Sequence, residues 1–394
     1  MKNLLQKILI AALTIGSFEL LRAQGDIPID ITTTTTPFGK KPIPVAMDGL
    51  TGEAAQVLHF DLYVQGFSFV DPANAQYLIH GTSDGNNVTG SLTDKLQRQV
   101  KFSRAYSGAS VRRQAHFFAN DIVQAVNGVP GIGLGKIAYK SQGRGGAGEI
   151  CVADFDGAGR TQVTSDGAIV AKPAWVPHRM AFYYTSYARE FPDIFYQNLS
   201  SGQRSIVASY PGLNTSAAVS PDGSQLAMIL SKSGSPDVWV CDANGTNPRR
   251  ITSGIEDSSP CWSPDGQWIC FATKQNARRR LAKVSSSGGA IQTLNTSGVS
   301  SPTEPDWSPD GKWIAFTRQA GGMFDICVLP ADGSFPPVVI ATGENPSWSP
   351  NSRTLVYNHN VGNVQTLSVL DVFTKQHKDC LRAPGSNSQP AWAR

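Results

Sequence analysis

Cys261-Trp262-Ser263-Pro264-Asp265-Gly266, followed by Trp268-Ile269-Cys270-Phe271-Ala272, is the stretch that decides the fold. Proline presets φ for a turn, Asp tolerates tight backbone geometry and Gly takes positive φ, so Pro-Asp-Gly closes a hairpin between two short apolar strands. Aromatic and β-branched residues in the second run suit a pleated, buried surface. The signature returns as Asp306-Trp307-Ser308-Pro309-Asp310-Gly311 and Val219-Ser220-Pro221-Asp222-Gly223, and nearly so as Ser347-Trp348-Ser349-Pro350-Asn351. A weaker copy is Ala174-Trp175-Val176-Pro177, and Pro390-Ala391-Trp392 is cut short by the end of the chain. Trp175, Val219, Trp262, Trp307, Trp348 and Trp392 are separated by 44, 43, 45, 41 and 44 residues. A period in the low forties with four strand-like runs per unit specifies a β-propeller, one blade per repeat.

The remaining strands of a unit follow the same logic. Asp237-Val238-Trp239-Val240-Cys241-Asp242 reads as a third strand ending in the Ala243-Asn244-Gly245 turn, and Arg249–Thr252 as a fourth. Equivalent third strands are Glu149–Asp154 and Asp325–Leu329. The first unit opens at Lys136-Ile137-Ala138-Tyr139 without a leading tryptophan strand, while Gln389–Trp392 is a leading strand with no blade behind it. The C-terminal strand is therefore expected to complete the first blade and close a ring of six, which removes exposed sheet edges.

The expected organisation is a signal peptide over 1–23, an N-terminal α/β domain over 24–130 with a mobile leading strand, and a six-bladed all-β propeller over 136–394. Lys2 and Lys7 precede the apolar run Ile8–Ile15, and Ala23 offers a small residue for cleavage. That run falls short of the roughly 20 apolar residues a spanning helix needs. A net charge of +4 over 394 residues is mild and dispersed. Arg278-Arg279-Arg280 is the one dense basic cluster, and without interleaved aromatics it reads as a solvated loop, so nucleic-acid binding is not expected.

Six cysteines in an exported chain raise the question of disulfides. Cys151, Cys241 and Cys327 hold the same strand position in different blades and are expected to be buried and far apart. If the turn sets Ser263 opposite Trp268, Cys261 and Cys270 face each other across a hairpin and a bridge is open to them. A register shift of one residue separates them. The absence of Cys-x-x-Cys pairs and His clusters argues against a metal site, and no cofactor is expected.

The N-terminal region mixes strands at Lys41–Ala46, Tyr77–Gly81 and Lys101–Ser103 with a helix at Ala54–Asp61. A stronger helix spans Val111–Val126, with Val111, Ala115, Phe118, Ile122 and Val126 on one face and Gly128 as its stop. Gly81-Thr82-Ser83-Asp84-Gly85 matches a nucleophile-elbow pattern, but Asn86–Gly90 behind it reads as loop and turn, so catalysis is not expected. Gly131–Lys136 lacks phosphate-loop spacing and precedes a strand; it reads as a linker. Gly143–Gly148 reads as a flexible hairpin, and His116, beside two aromatics, as structural.

Val111-Arg112-Arg113-Gln114-Ala115-His116, continuing through Ala119-Asn120-Asp121-Ile122 to Gly128 and Lys136-Ile137-Ala138-Tyr139, resembles the helix and propeller-opening strand of the TolB family. The resemblance covers nearly the whole mature chain. It implies a non-enzymatic, monomeric periplasmic adaptor of the Tol-Pal system. Pal, a peptidoglycan-associated lipoprotein, would dock on loops matching Leu213, Asn214, Thr215 and Ser216 and Thr303, Glu304 and Pro305. Leu213 stands where the family often has His. The extreme N-terminus would add a strand to TolA; Ile27, Ile29 and Ile31 alternate as such a strand requires. A peptidase-associated propeller needs a full hydrolase domain, for which no stretch remains. A sugar- or ligand-binding propeller stays open.

Overall fold

In the computed structural model, residues 36–143, 147–254, 256–380 and 385–394 are described. The signal peptide expected over 1–23 and the strand carrying Ile27, Ile29 and Ile31 lie outside them, as do residues 144–146 of the glycine-rich hairpin at 143–148. Pro37–Arg394 form one compact unit.

Strands dominate. Six four-stranded antiparallel sheets follow one another, each strand pairing with the next in sequence, except that Ser386–Trp392 pairs with Lys136–Gln142. The C-terminal strand thus completes the first blade, and the ring of six closes as its two incomplete ends imply. Blade one contains these two strands with Gly148–Asp154 and Thr161–Gln162; blades two to six begin at Val170, Asn214, Ser258, Pro302 and Glu344.

The signature residues lock this ring. In three of the turns the serine hydroxyl donates to the aspartate and accepts the amide five residues on, as in Ser220 with Asp222 and Gln225 (2.6 and 2.9 Å). Those bonds hold the Asp222 and Asp265 carboxyls below their ordinary range. Tryptophans staple blades together: the indole N–H of Trp175, Trp262 and Trp348 donates to Ala391, Ala218 and Asp306 carbonyls of the preceding blade at 3.0–3.1 Å. Cys151, Cys241 and Cys327 are buried on third strands. Arg278–Arg280, expected in a loop, instead begin the strand Arg278–Ser285, because that hairpin turns two residues earlier.

Before the propeller, a five-stranded sheet runs in the order Phe67–Phe69, Ile43–Asp48, Tyr77–Ser83, Val88–Asp94 and Gln99–Tyr106. Its first two pairings are parallel, the rest antiparallel. Helices Gly52–Tyr63 and Val111–Asn127 pack on it through Leu58, Leu62, Phe118 and Ile122. Ser110 caps the longer helix by accepting the Arg113 N–H, and Gly128 ends it at φ +70°, where a Cβ would be strained. Val88–Gly90, read as turn, belong to a strand: the Val88 N–H is taken by the Gln114 side chain at 2.7 Å, a contact no local pattern reveals. Ser83 of the Gly-x-Ser-x-Gly stretch closes a β-hairpin rather than a strand-to-helix elbow.

Among the described residues no helix is long and apolar enough to cross a membrane.

Candidate functional site

Every blade's innermost strand contains a two-residue bulge, and the bulges line the channel. The register skips residues 172–173, 216–217, 259–260, 304–305, 345–346 and 389–390 against the second strands. The first residue of each bulge is left-handed: Lys172, Ser216, Ser259, Glu304, Asn345 and Gln389 have φ between 51° and 57°. In five blades a proline follows, while Ala217 takes that place in blade three. Proline lacks a ladder donor and is confined in sheets to edges or bulges. Side chains other than glycine pay about 1–3 kcal/mol for such backbone, and surrounding structure must over-determine it. Six repeats of one strained unit aimed at one axis form a ring.

All six ring residues line a chamber of about 470 Å³ that continues past Trp175, Trp262 and Trp392 to the prolines of the signature turns, Pro177, Pro221, Pro264, Pro309 and Pro350. The innermost strands run through the channel in one direction, so their starts lie at one mouth and the signature turns at the other.

The ring carries one charge pair across the channel. Lys172 Nζ donates to Glu304 Oε1 and to Asn345 Oδ1, both at 2.9 Å, while Gln389 Oε1 accepts the Lys172 N–H at 3.0 Å. Glu304 Oε2 accepts from the Thr317 hydroxyl at 2.9 Å and the Asn345 N–H at 3.2 Å. Burial opposes the Glu304 charge, but the Lys172 pair and these hydrogen bonds outweigh it and keep the carboxyl below its ordinary range. Glu344, just outside the ring, goes the other way: burial and the nearby Glu304 charge raise it.

Of the residues expected in partner-binding loops, all but Leu213 lie on innermost strands. Asn214–Ser216 belong to the innermost strand of blade three and Thr303–Pro305 to that of blade five. Ser216, Glu304 and Pro305 line the chamber. Thr215 meets Thr185 through their hydroxyls at 3.1 Å, and Thr303 is half-buried. Leu213 is half-buried against blade four, and its N–H is taken by Ser231. Asn214 is fully buried; it accepts the Tyr210 N–H and donates to the Tyr210 and Pro192 carbonyls, so it shapes the strand's entry rather than facing a partner. Lys172, Ser259, Asn345 and Gln389 were not singled out from sequence. Their signal is the residue before proline, three positions ahead of each tryptophan.

A second buried cluster joins the α/β region to blade one. His116 Nδ1 lies 2.7 Å from Asp61 Oδ2, and its Nε2 lies 3.8 Å from Asp156 Oδ2. Asp156 also accepts from the Arg112 guanidinium. Their ligand-type atoms fall within 4.8 Å of one another, a grouping that sequence spacing hides because 55 residues separate Asp61 from His116 and another 40 separate His116 from Asp156. The guanidinium on Asp156 already supplies the positive charge, so the cluster is an ion-pair network rather than a cation site. Around it the Phe155 ring meets His116 edge-on and stacks on Trp392.

A family model described as the TolB beta propeller domain matches residues 123–394. The chain is 30% identical over 187 residues to the Tol-Pal system protein TolB of Desulfosudis oleivorans (strain DSM 6200 / JCM 39069 / Hxd3), covering 45% of this chain and 42% of that protein. It is 34% identical over 165 residues to the protein of the same name from Anaeromyxobacter dehalogenans (strain 2CP-C), covering 41% and 37%. The match therefore spans about two fifths of these curated relatives' length. The crystal structure of TolB from Acinetobacter baumannii superposes with a TM-score of 0.81 at 24% identity, covering 90% of this chain and 98% of that one, which speaks to the fold.

Proposed function

This chain belongs to the TolB β-propeller domain family, and on that premise we propose that it is a periplasmic adaptor of the Tol-Pal system. Its propeller would bind a Pal-like, peptidoglycan-associated lipoprotein at the channel, acting by binding rather than by catalysis. The observation that carries this reading is the ring of six left-handed residues around one axis. Strained backbone repeated at a single opening is the kind of feature that persists at ligand clamps.

In this reading Ser216, Glu304 and Pro305 meet the partner from the channel wall, with Thr303, Thr215 and Leu213 nearer the mouth where the innermost strands begin. Asn214 supports them from behind. The Lys172–Glu304 pair fixes the ring, so a partner meets a preformed surface and loses little affinity to ordering it. The segment holding Ile27, Ile29 and Ile31 would pair with a sheet edge of a TolA-like inner-membrane protein. Docking at one end would alter affinity at the other through a coupling free energy. That linkage would support outer-membrane integrity and constriction at division.

The test is isothermal titration of the mature full chain with the soluble domain of the organism's own Pal-like lipoprotein, alongside Ser216→Trp and Glu304→Gln. Saturable binding, weakened tenfold or more by Ser216→Trp in a protein that still melts as wild type, is the expected result. A folded chain that does not bind overturns the reading. Saccharide or small-molecule binding in the chamber would then mark a ligand-binding propeller, a role its volume suits.

A further inference from the structure

The hairpin that opens blade four holds a pair of thiols. The Ser263 N–H donates to the Trp268 carbonyl at 2.8 Å, which sets the register and makes Cys261 and Cys270 direct Cα partners. Opposed residues in antiparallel strands have Cα atoms about 4.5–5.5 Å apart. Disulfides span about 4.4–6.8 Å between Cα atoms, so this pairing falls within the range a bridge uses. Both side chains point into the same core, beside Leu281, Trp307 and Phe316. Both cysteines are free thiols in this structure. They differ in access: Cys270 is wholly buried, whereas Cys261 is 8% exposed and lines the chamber.

We propose that Cys261 and Cys270 are a redox pair, closed into a cross-strand disulfide by a disulfide oxidant that enters through the chamber. The Cys261 thiolate attacks one sulfur of the oxidant; that S–S bond breaks, and the other half leaves as a thiolate. Cys270 gives up its proton and attacks Cys261 Sγ of the mixed disulfide. The Cys261–Cys270 bond forms as the second half departs. The protein loses two electrons and two protons, and the oxidant gains them as two thiols. Access assigns the order: Cys261, the residue that lines the chamber and keeps some exposure, reacts first, and the wholly buried Cys270 resolves. Burial and the neighbouring Cys270 thiol push Cys261 well above its ordinary range, so its thiolate is scarce at neutral pH and closure accelerates towards alkaline pH. The bridge ties the innermost strand to its neighbour two residues beyond Ser259, and so braces one sixth of the ring.

The folded full chain is treated with glutathione disulfide at mildly alkaline pH, or with dithiothreitol. Free thiols are then alkylated and the chain is digested with a protease that cuts before aspartate. Cleavage before Asp265 separates the two cysteines unless they are bridged. The expected oxidised product alkylates at four cysteines instead of six and keeps the two fragments joined. Cys270→Ser stops at a single glutathione adduct on Cys261, and Cys261→Ser gains no adduct at Cys270. Six alkylated cysteines in a folded, oxidant-treated chain overturn the proposal. So do separate fragments with adducts on other cysteines, or an adduct on Cys270 in Cys261→Ser.

Discussion

Glu304 in the channel ring and Asp61 at the junction of the α/β region with blade one are both carboxylates withdrawn from water beside a basic partner, yet their acidities shift in opposite directions. At Glu304 the burial penalty is outweighed by Lys172 and by donors from Lys172, Thr317 and Asn345. At Asp61 burial prevails over the His116 hydrogen bond and the His116 and Arg112 charges, and the carboxyl is raised; its Oδ1 has no partner. The Lys172 charge, joined by several donors, outweighs burial at Glu304, whereas a single hydrogen-bonding partner and weaker charges do not at Asp61. The ring therefore keeps a stable anion at an opening, while the junction holds one at a cost.

The sharpest way to break this contrast is to remove the basic partner at each site. His116→Leu leaves the Asp61 carboxyl with no side-chain partner in a closed interior, where losing one member of a buried pair costs about 3–5 kcal/mol. The expected outcome is a large drop in the urea midpoint. Lys172→Met should cost less, about 1–3 kcal/mol, because Glu304 keeps the Thr317 and Asn345 donors. If both substitutions lower the urea midpoint equally, the donors that remain at Glu304 are not compensating for the lost charge.

Acid titration sharpens the comparison with the smallest expected effects. The folded Glu304 pKa is depressed below 4.5, so its stabilisation is present above 4.5 and lost as pH falls through the folded value. The melting-temperature gap between wild type and Glu304→Gln should therefore be full at neutral pH and close on acidification. Asp61 is raised above 3.8, so its contribution is present below 3.8 and lost as pH rises through the folded value. Asp61→Asn should then be close to neutral at pH 7, within about 1 kcal/mol, because an amide oxygen still accepts from His116 and carries no charge to bury. Melting curves of the two variants across the acid range that run parallel rather than diverge would contradict this.

Much of the propeller was legible from the chain. The Ser-Pro-Asp-Gly turns, the tryptophan period and the two incomplete ends specify blade count and closure, because each blade is built from contacts that repeat locally. The α/β region was less so. The Val111–Asn127 helix shows its face, cap and stop, whereas Val88–Asp94 hides as strand because Gln114, in that distant helix, supplies its first hydrogen bond. At the site, Ser216, Glu304 and Pro305 were reached through resemblance to a family. Lys172, Ser259, Asn345 and Gln389 were passed over: the residue before a proline is ordinarily extended, so no local rule announces a left-handed ring.

By itself the sequence determined the repeating unit, its number and the seam that closes it, since turn chemistry and strand alternation act over a few neighbouring residues. It left open the hairpin register of Cys261 and Cys270, which the Ser263–Trp268 hydrogen bond decides. Only the tertiary structure decided which side chains share an axis. Lys172 meets Glu304 across 132 positions, and Asp61, His116 and Asp156 converge from two helices and a blade turn. Closing a ring brings equivalent positions together whatever their separation along the chain, and the charges found there are set by that geometry.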